Sequence, residues 1–235
     1  VKKNPLDGVK RLKAAGASAA EIAAEKENIR FAWRPMEAGR RLQDLLTEFA
    51  LTIHSPHFTP RFLNLFLRTY RQHADHILHN YSKQGNHLLF EAQRMLFAGI
   101  YFPEFREAQE WRRSGIEILN REIGVQVYPD GMQFELDFGY HIAAIDIFLK
   151  ARANGYEGEF PASYIETVGK MTAVTWNLLF PDWSNPMFGD TKSHDKSSLQ
   201  RQFRSWSKVF PGDKQLQWFA TEGRKGALPD YTSQQ

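Results

Sequence analysis

The chain has 235 residues, 42% of them hydrophobic and 24% charged, with a formal net charge of +3. That is enough apolar material for one good core or two small ones, and too balanced a composition for a disordered segment. Cysteine is absent, which excludes disulfides, thiolate metal sites and cysteine nucleophiles.

No apolar run approaches the roughly 18–20 residues of a membrane span, and no long block of basic residues appears, so neither a membrane nor a nucleic acid is an expected partner. The mild positive charge permits a polyanionic partner without demanding one. The chain opens on Val1 rather than Met. It therefore reads as processed or excised, and an export signal is not expected within it.

The punctuation is that of helices. Ser18 and Glu21 form a capping box before Ile22, Ala23 and Ala24. Pro35 fits the first turn of a helix through Leu42, Leu45, Leu46, Phe49 and Ile53. Thr59-Pro60 is an N-cap and proline before Phe62, Leu65, Phe66, Thr69 and Tyr70. Gly85 separates this helix from the next, whose apolar positions include Leu88, Leu89, Ala92, Met95 and Leu96. Pro103 opens another, running past Trp111 to Ile118 and Ile123.

Alternation at Val125-Gln126-Val127-Tyr128, then Pro129-Asp130-Gly131 and Gln133-Phe134-Glu135, predicts a small hairpin or extended loop near 125–135. Helices resume over Ile142–Leu149, Pro161–Leu179 and Leu199–Val209, and a short one over Lys214–Thr221 precedes a polar tail. Some eight helices joined by mostly short loops, with no fixed-period repeat, predict an all-α array of antiparallel hairpins such as an α/α toroid.

Two polar sites interrupt this apolar pattern. One is Asn86-His87, in the run Gly85-Asn86-His87-Leu88-Leu89-Phe90-Glu91; the other is Tyr140-His141, after Asp137-Phe138-Gly139. Asn86 reads either as an N-cap or as an amide that meets a substrate carboxylate at the positive end of a helix dipole. Tyr140 is either a core tyrosine with a satisfied hydroxyl or a proton-transferring phenol. Adjacent helical residues do not share a face, so Tyr140 and His141 point different ways, and Tyr140 is preferred for the pocket. An amide, a phenol and two imidazoles suit proton abstraction beside a carboxylate better than hydrolysis by paired acids. They point to a lyase acting on acidic sugars.

His73, His76 and His79 stand three apart on one helix, so the outer pair diverges by about 120°. A metal needs converging ligands, and a solvated or pocket-rim face is expected there instead. Trp183, Phe188, Trp206 and Trp218, near Arg201, Arg204 and Lys208, are mostly core, with some available to line a sugar groove. Asn185-Pro186-Met187-Phe188-Gly189-Asp190-Thr191-Lys192-Ser193-His194 reads as a polar loop able to wall a pocket.

Asn86-His87 at a helix start, with Tyr140-His141 after Asp130-Gly131 and Glu135, resembles the N-terminal helical domain of the heparinase II/III-like polysaccharide lyases, nearest to their heparan-sulfate-cleaving branch. The likeness covers most of the chain and is strongest from Asn86 to Lys192. It implies one helical domain over 1–235, an incomplete α/α toroid, and a C-terminal β-sandwich domain of the same parent protein for which no sequence is present here. Asn86 would neutralise the uronate carboxylate and Tyr140 would be the acid/base, with His87, Gln133, His141 and Glu91 binding substrate.

The resemblance further implies no cofactor in this chain, a divalent metal only in the β-sandwich domain of some members, an acidic polysaccharide as partner, and a periplasmic or secreted location. One departure is Asp137-Phe138, where several relatives carry Ser-Pro. Three rivals remain: a glycoside hydrolase, for which Glu91, Glu135 and Asp137 offer carboxyls without an evident pair; a non-catalytic glycan-binding module; and an alginate-type lyase.

Overall fold

A computed structural model describes residues 7–153 and 156–228; the end of the polar tail, 229–235, lies outside them. The helices are α1 (Asp7–Ala14), α2 (Ala19–Ala32), α3 (Pro35–Thr52), α4 (Pro60–Asn80), α5 (Gly85–Tyr101), α6 (Ala108–Gln126), α7 (Phe138–Arg152), α8 (Ala162–Asn177), α9 (Lys196–Trp206) and α10 (Lys214–Thr221), with a 3-10 turn over Glu157–Glu159. The all-α class stands. By contacts the chain divides into two compact units, Val1–Gly115 and Ile116–Gln235, with the boundary inside α6.

Local signals placed most helix starts. Ser18 caps α2 and Glu21 returns the bond, completing the capping box. Pro35 opens α3, and Thr59 caps α4 just before Pro60. Two expectations change and one helix is added. α1 had no strong signal, being short. α6 begins at Ala108 rather than Pro103, because 103–107 form a turn closed by Phe105 N–H to Phe102 O and Ala108 N–H to Phe105 O. The expected hairpin is a single antiparallel bridge, Val127 to Gln133, since Val125 and Gln126 still belong to α6.

The core of the first unit joins α3, α4 and α5 through Leu42, Phe66, Tyr70, Ile77, Met95 and Phe102, closed by Trp111. Phe49, Phe66, Tyr70 and Phe102 form a continuous ring cluster. Each fully buried side chain of this size contributes about 1.5–3 kcal/mol, so the cluster alone outweighs any surface ion pair.

His73 and His76 on α4 are packing devices, which corrects the solvated-face expectation for those two, while His79 keeps it. His73 is buried, stacks on Trp33 at 5.1 Å and accepts from Arg41 Nε at 2.8 Å while its Nδ1–H donates to Thr69 O. His76 meets the same indole edge-on and donates to Trp33 O at 2.6 Å. His79 is exposed and its Nδ1 bonds Asp75 O.

In the second unit α7 packs on α8, and α10 on both α8 and α9. Asp146 of α7 accepts from Trp206 Nε1 at 3.1 Å and from Gln202, tying α9 to α7. Trp206 is therefore core, and Trp183 packs edge-on against Phe203 and Phe219 under the Lys196 ammonium. Phe188 differs, standing 71% exposed in the loop between α8 and α9. No helix of the described residues is long and apolar enough to cross a membrane.

Candidate active site

The six singled-out side chains fall into two groups. Asn86, His87 and Glu91 belong to the first unit; Gln133, Tyr140 and His141 belong to the second.

In the first group, residues 81–84 link α4 to α5, and Gly85 enters α5 at φ +81°, a left-handed conformation that a side chain would strain. Asn86 is accordingly the second residue of α5, not its N-cap. The cap position is Gln84, whose side chain makes no cap bond. Asn86 is half-buried and His87 exposed. Glu91 has no exposed surface; its carboxylate accepts from Ser82 N–H and Ser82 Oγ, both at 2.7 Å. Burial pushes the Glu91 carboxyl above its ordinary range, and the two Ser82 bonds oppose that shift. Glu91 thus latches the linker that precedes α5 and turns its carboxylate inward.

In the second group, the bridged turn 127–135 leads into α7. Asp137 caps α7 through its Oδ1, which accepts Tyr140 N–H at 2.9 Å. Aspartate is among the favoured N-cap residues, so Asp137 secures the start of α7. Tyr140, on the first turn, is half-buried, and its hydroxyl reaches Asp190 Oδ2 at 3.4 Å.

His141 points the other way. It has no exposed surface, its Nδ1 accepts Gln133 N–H at 3.2 Å, and its Nε2–H donates to Met171 O at 2.8 Å. The two bonds select one neutral tautomer, and burial lowers its pKa from 6.5 to about 4. Gln133 is equally buried, and its side-chain oxygen accepts Glu135 N–H at 2.9 Å. Both side chains are buried and bonded within the second unit, so neither is exposed beside Tyr140.

The loop 185–194 carries what the residue patterns left without a role. Asn185 is buried; its Nδ2 donates to Pro186 O at 3.1 Å and Lys192 O at 3.3 Å, and its Oδ1 accepts His194 N–H at 2.9 Å. Buried Thr191 accepts Phe138 N–H at 2.9 Å, and the His194 ring meets Phe138 edge-on. Gly189, at φ +65°, lies so close to Asp137 that a Cβ would stand 3.1 Å from Oδ2. The available signal was Gly189 beside two short polar residues, a turn chemistry that marks shape but not destination.

Three acidic side chains surround the phenol. Desolvation first, then Asp190, Asp137 and Glu135, hold the Tyr140 hydroxyl above its usual pKa of 10.0. Tyr140 therefore rests as a neutral phenol, a proton donor. Among the described residues no group of three or more histidine, aspartate or glutamate side chains could hold a metal ion.

The family model described as heparinase II/III N-terminus matches residues 1–218. A heparin-sulfate lyase of Bacteroides stercoris is 51% identical over 237 residues, covering 99% of this chain and 36% of that protein. A heparin-sulfate lyase of Pedobacter heparinus is 48% identical over 216 residues, covering 90% of this chain and 33% of that protein. A solved heparinase III structure is 54% identical with a TM-score of 0.77, covering 98% of this chain and 36% of that one. The chain spans about a third of the length of the relatives it matches. With most of its length matched by the family model and half its residues shared with these relatives, this chain belongs to the heparinase II/III family, as the N-terminal helical part.

Proposed function

We propose that this chain is the helical part of a polysaccharide lyase that cleaves heparan sulfate, or a related uronate-containing glycosaminoglycan, by β-elimination at C5 of the uronic acid. The observation that carries the reading is about 50% identity, across nearly the whole chain, to two proteins named heparin-sulfate lyase.

The step removes the C5 proton, its electron pair becomes the C4–C5 double bond, and the C4–O bond breaks. The departing oxygen takes a proton, and an unsaturated uronate remains. The C5 proton is barely acidic while the carboxylate beside it is charged. Asn86, on the first turn of α5, would hydrogen-bond that carboxylate and stabilise the charge that develops, with exposed His87 beside it.

Tyr140 would give its proton to the leaving oxygen. The carboxylates around it support that role, because they keep the phenol protonated and a sugar alkoxide is more basic than a phenolate. For Tyr140 also to take the C5 proton from the same face, a cation from outside the second unit must offset those charges. Otherwise the base is a separate group, placed by this reading in the β-sandwich domain of the parent protein. The reading asks for no cofactor in this chain, assigns any divalent metal to that second domain, and places the protein in the periplasm or outside the cell.

The hydrolase rival loses ground, since Glu91 is sealed beneath Ser82 and Asp137 is spent on the α7 cap. The test is ultraviolet absorbance of new unsaturated uronate when the longest natural protein containing this sequence meets heparan sulfate, heparin and alginate. A rise on heparan sulfate, cut at least about a hundredfold by Tyr140→Phe with binding retained, is expected. A rise on alginate alone reassigns the substrate. Binding without cleavage of any polymer leaves the glycan-binding module.

A further inference from the structure

We infer that Asp190 is a positioning residue for Tyr140: presented by a loop clamped onto the start of α7, its carboxylate accepts the phenol's hydrogen bond and fixes where the hydroxyl points. The inference rests on the role proposed for Tyr140 and names a partner for that same group.

Three observations carry it. The loop is not free to drift, because Asn185 closes it internally with three bonds and Thr191 accepts the backbone N–H of Phe138, two residues before Tyr140. Asp190 sits between Gly189, whose backbone lies against the Asp137 carboxylate, and that Thr191 anchor. Asp190 is itself exposed, so its contact with Tyr140 Oη is not a by-product of burial. At 3.4 Å the bond is long for a hydroxyl donor. Such a bond can aim a phenol and still release it to a leaving oxygen, as resting catalytic contacts often do.

The charged groups that act on the phenol are Asp190 on the loop, Asp137 at the cap of its own helix and Glu135 on the preceding turn, while the His194 ring packs on Phe138 at 5.5 Å. Asp190 is the one that both touches the hydroxyl and adds to the charge holding its proton. Substituting it should therefore change two separable quantities, the aim of the ring and the phenol's titration.

The experiment uses the longest natural protein containing this sequence, with ring-labelled tyrosine followed by NMR against pH and the Tyr140 signal assigned by its loss in Tyr140→Phe. Asp190→Asn, at an exposed position and of equal size, should move the Tyr140 titration to lower pH. It should also lower kcat about tenfold with little change in KM, because misplacing a reacting group costs this much or more. Thr191→Val, which unfastens the loop from Phe138, should move both in the same direction by a smaller factor. A Tyr140 titration unmoved by Asp190→Asn overturns the inference. If the titration moves but Tyr140→Phe keeps full elimination, the contact stands and the catalytic role of Tyr140 falls.

Discussion

At the start of α5 a left-handed glycine turns the chain into the helix, the cap residue Gln84 makes no side-chain cap bond, and Glu91 is folded under Ser82. At the start of α7 an aspartate occupies the cap, a loop covers it, and two more carboxylates stand close to the phenol. Both are helix N-termini, where amides and the dipole favour negative charge. Under the proposed function the first would meet a substrate carboxylate. The second satisfies that preference internally and surrounds the phenol with negative charge, an arrangement suited to a neutral leaving oxygen but not to an anion. Under the proposed function the two helix starts therefore carry different roles, Asn86 toward a carboxylate and Tyr140 toward a leaving oxygen.

The strongest way to break this assignment is to exchange the chemistry at Asn86. Asn86→Ala should lower elimination by about a hundredfold to a thousandfold, the loss seen when one donor to a developing oxyanion is removed. Asn86→Asp, which sets a like charge against the uronate, should lower it further. The measurement is initial rate on heparan sulfate, beside thermal unfolding to show that the fold survives. Equal rates for wild type and Asn86→Ala would remove the anion role from the α5 start.

A second test works through stability. His141 is neutral in the folded chain with a pKa lowered from 6.5 to about 4. The unfolded chain binds the extra proton between those values, so stability rises with pH across that window. It is full above pH 6.5, falls as pH drops toward 4, and is insensitive to this group below. The shift corresponds to about 3 kcal/mol. Buried His73 in the first unit has a pKa shifted the same way by desolvation, so the difference between variants is the informative quantity. His141→Gln keeps a donor and an acceptor but cannot titrate, and denaturant midpoints against pH should be flatter by that amount. An unchanged pH slope would show that the surroundings of His141 are not built as described.

What could be read in the residues, and what could not, follows the reach of each interaction. The Ser18–Glu21 box, Pro35 and the Thr59 cap act within a turn of helix, and each stood in the sequence as a local pattern. The family pattern around Asn86 and Tyr140 was also legible. The supports of those residues were not. Ser82 to Glu91, Tyr140 to Asp190, Phe138 to Thr191 and His141 to Met171 are contacts across turns and between elements. A polar residue near a site carries no mark in the sequence of which distant partner it will hold. On α4, likewise, the evenly spaced His73 and His76 grip Trp33 of another helix region instead of facing solvent.

The Ser82–Glu91 latch and the Asp137 cap can be compared directly. Glu91→Gln leaves a buried amide facing two donors, and should cost about 1–3 kcal/mol because an unpaired buried group carries its full desolvation penalty. Asp137→Ala removes one cap bond and should cost about 1 kcal/mol. Equilibrium denaturation reads both. Elimination should fall in each variant through displacement of Asn86 or Tyr140, and a stability loss with no change in rate would separate the brace from the site it supports.

The smallest effect concerns the loop's outer face. Met187 and Phe188 precede Gly189 and are 60% and 71% exposed, although apolar side chains of this size are usually covered. Under the proposed function the exposed Phe188 ring, two residues from Asp190, would stack on a sugar of the polymer. Phe188→Ala should raise KM about two- to tenfold, in line with a ring contact worth about 0.5–1.5 kcal/mol, and leave kcat and the Tyr140 titration unchanged. A fall in kcat instead would mean that the ring holds the loop, and through Asp190 the phenol, so that the α7 start depends on its outer face as well as on Asn185 and Thr191.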